Sequence, residues 1–169
     1  MDGVSTARVP KLRGLISRSA WTLEARGVIP TLSGPNWASA INGARPNSTG
    51  SSPTAGFATR SSFNQPAVPR TVSSHYFRRA APEYPASRIA VFHDWPGFSD
   101  LLETQAPDIM RHEPGAAPTT EAAIRYWKEN RPALMFIHLD NVDHAGHSHG
   151  WYSNEYYKAS RWPMDISAG

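Results

Sequence analysis

Two carboxylates and three imidazoles crowd into one short run, Leu139-Asp140-Asn141-Val142-Asp143-His144-Ala145-Gly146-His147-Ser148-His149-Gly150. A hard carboxylate oxygen beside a neutral imidazole nitrogen is a normal ligand pair for zinc. Asp143 and His147 are four residues apart, so on a helical turn they face one point. The same composition also describes a solvated polar loop whose histidines have no common partner. A second group of reactive side chains lies upstream, in Thr31-Leu32-Ser33-Gly34-Pro35-Asn36-Trp37-Ala38-Ser39. A hydroxyl at the head of a helix sits where backbone N–H groups can hold phosphate oxygens. A nearby metal would lower its pKa and make it a nucleophile. Read alone, Ser-Gly-Pro-Asn is first of all a turn leading into a capped helix, and Thr31, Ser33 and Ser39 are rivals by chemistry.

These groups need elements to hold them. Arg88-Ile-Ala-Val-Phe-His93 and Ala133-Leu-Met-Phe-Ile-His-Leu139 are short, nearly continuous apolar runs bounded by breakers. Both fit strands buried on two faces. Between them Thr119 and Thr120, followed by Glu121, predict a helix through Lys128 with Ala122, Ala123, Tyr126 and Trp127 as its apolar stripe. Helix followed by buried strand is the grammar of an α/β fold with a parallel sheet. The acid–histidine run then begins directly beyond a strand's C-terminal end, where such sheets bind ligands. Towards the N-terminus, Val9, Leu12, Leu15, Ile16 and Ala20 recur at helical spacing within residues 8–26, with Pro10 near the start. Thr22 to Ile29 predicts a short strand, Trp37 to Ile41 a helix ending near Gly43, Ser99 to Glu103 a helical turn, and Asn154 to Met164 a last helix. Residues 44–75 differ in kind. Ala44 to Ala58 is largely Ser, Thr, Pro, Gly, Ala and Asn with only Phe57 as a large apolar side chain, and the stretch predicts a loop-rich or disordered insertion.

Bulk properties narrow the functional classes. At 169 residues the chain is long enough for one domain with a real core. It has no cysteine, so disulfides and thiolate metal sites are excluded. Its formal net charge is +3 and its pI about 9.4, with the basic residues scattered. Scattered positive charge favours small anionic substrates and does not predict a nucleic-acid polymer as partner, which calls for a clustered basic face. Fifteen prolines, twelve glycines and a mean hydropathy of -0.48 indicate many loops. No apolar stretch approaches the roughly 18–20 residues that span a bilayer, and the basic N-terminus lacks the apolar segment of a signal peptide.

His138 to Tyr157 (HLDNVDHAGHSHGWYSNEYY) resembles the metal-binding stretch of the type I phosphodiesterase/nucleotide pyrophosphatase family of the alkaline phosphatase superfamily. Val28 to Gly43 resembles that family's nucleophile segment, a strand and a hydroxyl residue two positions before Pro-Asn at the head of a helix. Asp2-Gly3, and His93-Asp94-Trp95-Pro96-Gly97-Phe98 after a strand, are similar to further parts of it. The resemblance covers most of the chain, with three motifs in the family's order. It implies an alkaline phosphatase-like α/β domain over residues 1–169, mainly a parallel sheet sandwiched by helices, and a hydrolase of phosphoric esters that uses two zinc ions on a small phosphodiester or nucleotide pyrophosphate. Carried over residue by residue, Ser33 is the nucleophile and a zinc ligand, Asn36 binds a phosphoryl oxygen, Asp2 binds the same zinc as Ser33, and Asp143 and His147 bind a zinc. Asp140, His93, His144 and His149 receive no such role.

This sequence departs from the pattern in three places. Only Met1 precedes Asp2, where the family has a strand. Pro46-Asn47-Ser48-Thr49-Gly50 lacks the histidine that usually follows the nucleophile helix. The later Asp-His-Gly motif that supplies the remaining ligands does not occur before Gly169. Each zinc site is therefore expected to be short of the three or four protein ligands of a stable site, the fold to be incomplete and activity to be impaired. Two alternatives follow: a non-catalytic remnant that binds metal or a partner, and a phosphomonoesterase or related phosphotransfer enzyme on the same scaffold. Ser33, where a sulfatase would carry cysteine, speaks against a sulfatase.

Overall fold

A computed structural model describes residues 6–43, 77, 88–102 and 107–161. Asp2 and the expected insertion at 44–75 lie outside these residues. The described elements are helix α1 (Pro10–Ile16), helix α2 (Ser33–Asn42), strand β1 (Ile89–His93), a 3-10 helix (Pro96–Leu101), strand β2 (Ile109–His112), helix α3 (Ala116–Asn130), strand β3 (Leu134–His138), helix α4 (Asn141–His149) and helix α5 (Asn154–Arg161). The three strands form a parallel sheet in the order β2-β1-β3. This is a small α/β arrangement consistent with an incomplete alkaline phosphatase-like fold.

β1 is the central strand, and every residue in it is buried. Its side chains alternate between faces, as a pleated strand requires. Ile89 and Val91 pack with Ile41, Phe77, Phe98 and Leu102, joined by Trp37, Met110 and Phe136. Ala90 and Phe92 pack on the opposite face against Ala122 and Ala123 of α3, with Tyr126 beside them. The sheet is thus covered on one face by α2 and the 3-10 helix and on the other by α3. A strand covered on both faces must be apolar at every position, which explains the continuous run in its sequence.

β3 carries a similar run but is only half-buried, and Ile137 is 42% exposed. Among the described residues β3 pairs with β1 alone, so it is an edge strand and not the doubly buried strand its sequence predicts. β2 is too short and too mixed (IMRH) to stand out by periodicity. Pairing with β1, Ala90 opposite Ile109 through His93 opposite His112, creates it.

The helices shift relative to their sequence patterns for local reasons. α1 stops at Ile16, well short of residue 26. There Ser17 Oγ donates to the Gly14 carbonyl (2.9 Å) and Ser19 Oγ to the Leu15 carbonyl (2.7 Å), so side chains compete for the acceptors a longer helix would use. The expected strand at 22–29 is absent: the Val28 N–H and carbonyl both bond the Asn36 amide instead of a ladder. α2 begins at Ser33, four residues earlier than the apolar pattern indicates, and ends at Gly43 in the left-handed conformation that glycine adopts readily (φ 64°). α3 begins at Ala116. Thr119 and Thr120 do not cap it; their hydroxyls bond the Gly115 and Ala116 carbonyls from inside the first turn. The helical turn near Ser99 is the 3-10 helix, which starts at Pro96. α5 is described to Arg161, and the rest of that expected helix lies outside the described residues.

Candidate active site

Trp37 docks α2 onto the sheet. Its ring meets Phe98 at 5.7 Å, Phe136 at 6.5 Å and His138 at 4.6 Å, each edge-on. Ser33 lies one helical turn before Trp37 and shares its side of the helix. Docking Trp37 near the C-terminal end of β3 therefore carries Ser33 to the same end of the sheet. Leu32 is the N-cap, so Ser33 is the first residue of α2. The first N–H groups of a helix have no acceptor within it and favour an anion. Pro35 removes one such donor from that first turn.

Asn36 holds the loop that leads into α2. Its Oδ1 accepts the Val28 N–H at 2.7 Å. Its Nδ2 donates to the carbonyls of Val28 (3.3 Å), Pro30 (3.2 Å) and Leu32 (2.9 Å). A Cβ on Gly27 would lie 2.5 Å from that Oδ1, so only glycine leaves the amide room to reach the loop. In this arrangement the amide is occupied by backbone, and a bond to a phosphoryl oxygen would replace one of its loop bonds.

Opposite Ser33, the turn after β3 and the first part of α4 supply carboxylates. Ser33, Trp37, Trp95, His138, Leu139, Asp140 and Asp143 together line a cleft of about 200 Å³. The fold thus brings Ser33 and Asp143 to one cavity from positions 110 residues apart in the chain. Asp143 and His147 share one side of α4, with Asp143 Oδ2 3.5 Å from His147 Nε2. Their side chains are 49% and 68% exposed, so as an ion pair they contribute little. Ligands at about 2.0–2.2 Å on a tetrahedral zinc lie roughly 3.3–3.5 Å apart, so the pair fits two corners of such a site. Among the described residues no group of three His, Cys, Asp or Glu side chains comes together to hold a metal.

Beneath the cleft lies a feature that the motif reading passed over. Each of the three strands ends in histidine, and the register sets His112, His93 and His138 side by side across the sheet. Asp94 follows the middle one. Its Oδ1 accepts the Asp140 N–H at 2.8 Å and lies 3.5 Å from His138 Nδ1. Both side chains are almost fully buried, and His138 Nδ1 makes no full hydrogen bond. Burial lowers the His93 pKa below its ordinary value, against a hydrogen bond from Nδ1–H to the Trp95 carbonyl (2.8 Å) that raises it. Burial also pushes the Asp140 carboxyl up, with the neighbouring charges of Asp143 and Asp94 adding to the rise. The histidines in the two apolar runs, His93 and His138, were the sequence signal for this row, and His112 joins it only through the pairing of β2 with β1.

His144 and His149 lie exposed on α4, with Ser148 Oγ 3.5 Å from His144 Nε2. The hydroxyl of Ser39 is buried away from the cleft-lining set, and Thr31 is exposed outside it. No helix among the described residues is long and apolar enough to cross a membrane.

Comparison with curated proteins finds no match. A family model for type I phosphodiesterase / nucleotide pyrophosphatase matches residues 53–162, well over half of the 169-residue chain. The matched stretch contains all three described strands, Asp94, Asp143 and His147, and lies downstream of Ser33. On this match the chain belongs to the type I phosphodiesterase/nucleotide pyrophosphatase family.

Proposed function

We propose that this chain carries the nucleophile and part of the metal-binding machinery of a phosphoric-ester hydrolase acting on a small phosphodiester or nucleotide pyrophosphate. The observation that carries the reading is the shared cleft, which joins the Ser33 hydroxyl at the head of α2 to Asp143 on α4. Asp143 and His147 would hold one zinc, and Asp2 and Ser33 would contribute to a second site. Zinc, when bound, lowers the pKa of a coordinated hydroxyl and offsets phosphoryl charge. Ser33 Oγ gives its proton to solvent as it attacks phosphorus, the P–O bond to the leaving group breaks, and the leaving oxygen takes a proton from solvent. Water then cleaves the seryl–phosphorus ester, releasing the remaining group as a phosphomonoester and restoring the Ser33 hydroxyl. The free N–H groups at the head of α2 bind the phosphoryl oxygens. Asn36 fixes the loop that aims this helix end, and its Nδ2 reaches a phosphoryl oxygen by exchanging one of its longer loop bonds. Trp37 and Trp95 wall the cleft.

Zinc-dependent hydrolysis of bis-4-nitrophenyl phosphate by the purified chain tests this reading. Ser33→Ala is expected to lower kcat by about 10³-fold or more, as loss of a covalent nucleophile does elsewhere. His147→Ala is expected to weaken zinc binding and shift the zinc dependence of turnover to higher concentration. Turnover unchanged by Ser33→Ala would sink the nucleophile assignment. Zinc binding without turnover would favour the second reading, a metal- or partner-binding domain.

A further inference from the structure

Asp94 stands at the C-terminal end of the central strand, and polar contacts from both neighbouring strands converge on it. Its N–H donates to the His138 carbonyl at 3.3 Å, and its carbonyl accepts from His112 Nε2 at 3.2 Å. Its carboxylate reaches past the end of β3 to the Asp140 N–H at 2.8 Å. One residue thus ties the tip of β1 to the tip of β2, the tip of β3 and the turn into α4. The side chain is only 3% exposed, so this bond is shielded from competing water. A carboxylate accepting a backbone N–H is among the stronger hydrogen bonds in proteins.

Asp140 is the N-cap of α4, and no side chain caps that helix. The helix starts where the His144 N–H closes on the Asp140 carbonyl at 2.9 Å. With no cap of its own, the helix entry takes its fixed point from outside, through Asp94. Asp143 lies within one turn of that point, so a rotation at Asp140 swings its carboxylate directly.

We infer that Asp94 is a positioning residue: by holding the Asp140 N–H it sets the start of α4 and with it the aim of Asp143 into the Ser33 cleft. This rests on the reading of Asp143 as a zinc ligand. Residues that orient metal ligands typically change metal affinity by about 10–100-fold when removed.

The test uses the full chain, with amide hydrogen exchange at residues 140–144 and calorimetric titration with zinc chloride as readouts. Asp94→Ala is expected to speed exchange of the Asp140 amide while α3 stays protected, and to weaken zinc binding by about 10–100-fold. Asp94→Asn keeps an Oδ1 acceptor without the charge and is expected to fall between wild type and Asp94→Ala in both readouts. Should Asp94→Ala fail to fold, Asp94→Leu, of similar volume and without an acceptor, carries the same measurements. Unchanged exchange at Asp140 would overturn the inference. So would faster exchange with unchanged zinc affinity while Asp143→Ala weakens zinc, which would leave Asp94 as a merely structural residue. Zinc affinity unchanged by Asp143→Ala would instead remove the ligand reading on which the inference rests.

Discussion

His93 is an imidazole only 1% exposed, between two other histidines and an aspartate. Burial disfavours its charged form and lowers its pKa. In the unfolded chain the same ring titrates near 6.5. Below that pH the unfolded state binds a proton that the folded ring refuses, so the unfolded state gains. The stability that His93 contributes is therefore fully present above pH 6.5 and is lost as pH falls from there towards the lowered folded value. Thermal unfolding followed between pH 7.5 and 5 should show the midpoint falling, and His93→Phe should flatten part of that slope. An equal slope in the variant would assign the acid sensitivity to other groups. Asp140 acts in the opposite sense. Its raised pKa means that ionisation disfavours the folded state, so its contribution declines as pH rises from the unfolded value through the folded one.

At the scale of elements, α4 and α5 form a hairpin whose packing depends on a missing side chain. Trp151 lies against Gly146, where a Cβ would approach ring atoms to 2.5 Å. The same ring meets His147 at 5.4 Å and Tyr156 of α5 at 5.7 Å, while Asn141 Nδ2 donates to the Ala159 carbonyl at 2.9 Å. A methyl at position 146 cannot fit unless the half-exposed indole swings away and gives up its contacts with α4 and α5. Gly146→Ala should lower the urea midpoint accordingly, and the tryptophan emission maximum should shift red as Trp151 leaves the helix. His147 follows Gly146 directly, so its zinc affinity should fall in the same variant. Full stability with unchanged emission would show that Trp151 does not sit on Gly146.

Over the whole molecule, Phe98 links the pieces that form the cleft. It is fully buried, stacks on Phe136 of β3 at 5.5 Å, and meets Trp37 of α2 at 5.7 Å and His138 at 4.6 Å. Helix, strand and 3-10 segment therefore share one aromatic contact below the Ser33 cleft. Truncating a buried phenylalanine typically costs about 3–5 kcal/mol, because the cavity it leaves only partly collapses. Phe98→Ala should lose that much by urea denaturation and should also loosen the docking of Trp37. A loss no larger than that of an exposed site, such as Ile124→Ala, would mean that the aromatic cluster is not the common anchor.

Much of this was legible in the residues themselves. The continuous apolar runs at 88–93 and 133–139 declared two strands, although the burial on both faces that such a run implies holds for β1 and not for β3. The spacing of Asp143 and His147 declared a shared helical face, because helix geometry alone places residues four apart together. Other features arose only from long-range contacts. β2 exists because β1 offers its edge to a weak four-residue segment, and β3 is half-exposed because it pairs on one side alone among the described residues. Asn36 binds backbone because the 28–32 loop folds back over α2, which no local pattern encodes. The Asp94–Asp140 bond joins residues 46 apart in sequence, and Ser33 and Asp143 come to line one cleft only when Trp37 docks on β3. Periodicity and spacing fix what neighbours along the chain must do, whereas hydrogen bonds and contacts across the sheet depend on closing long loops, and that is decided by the packed whole.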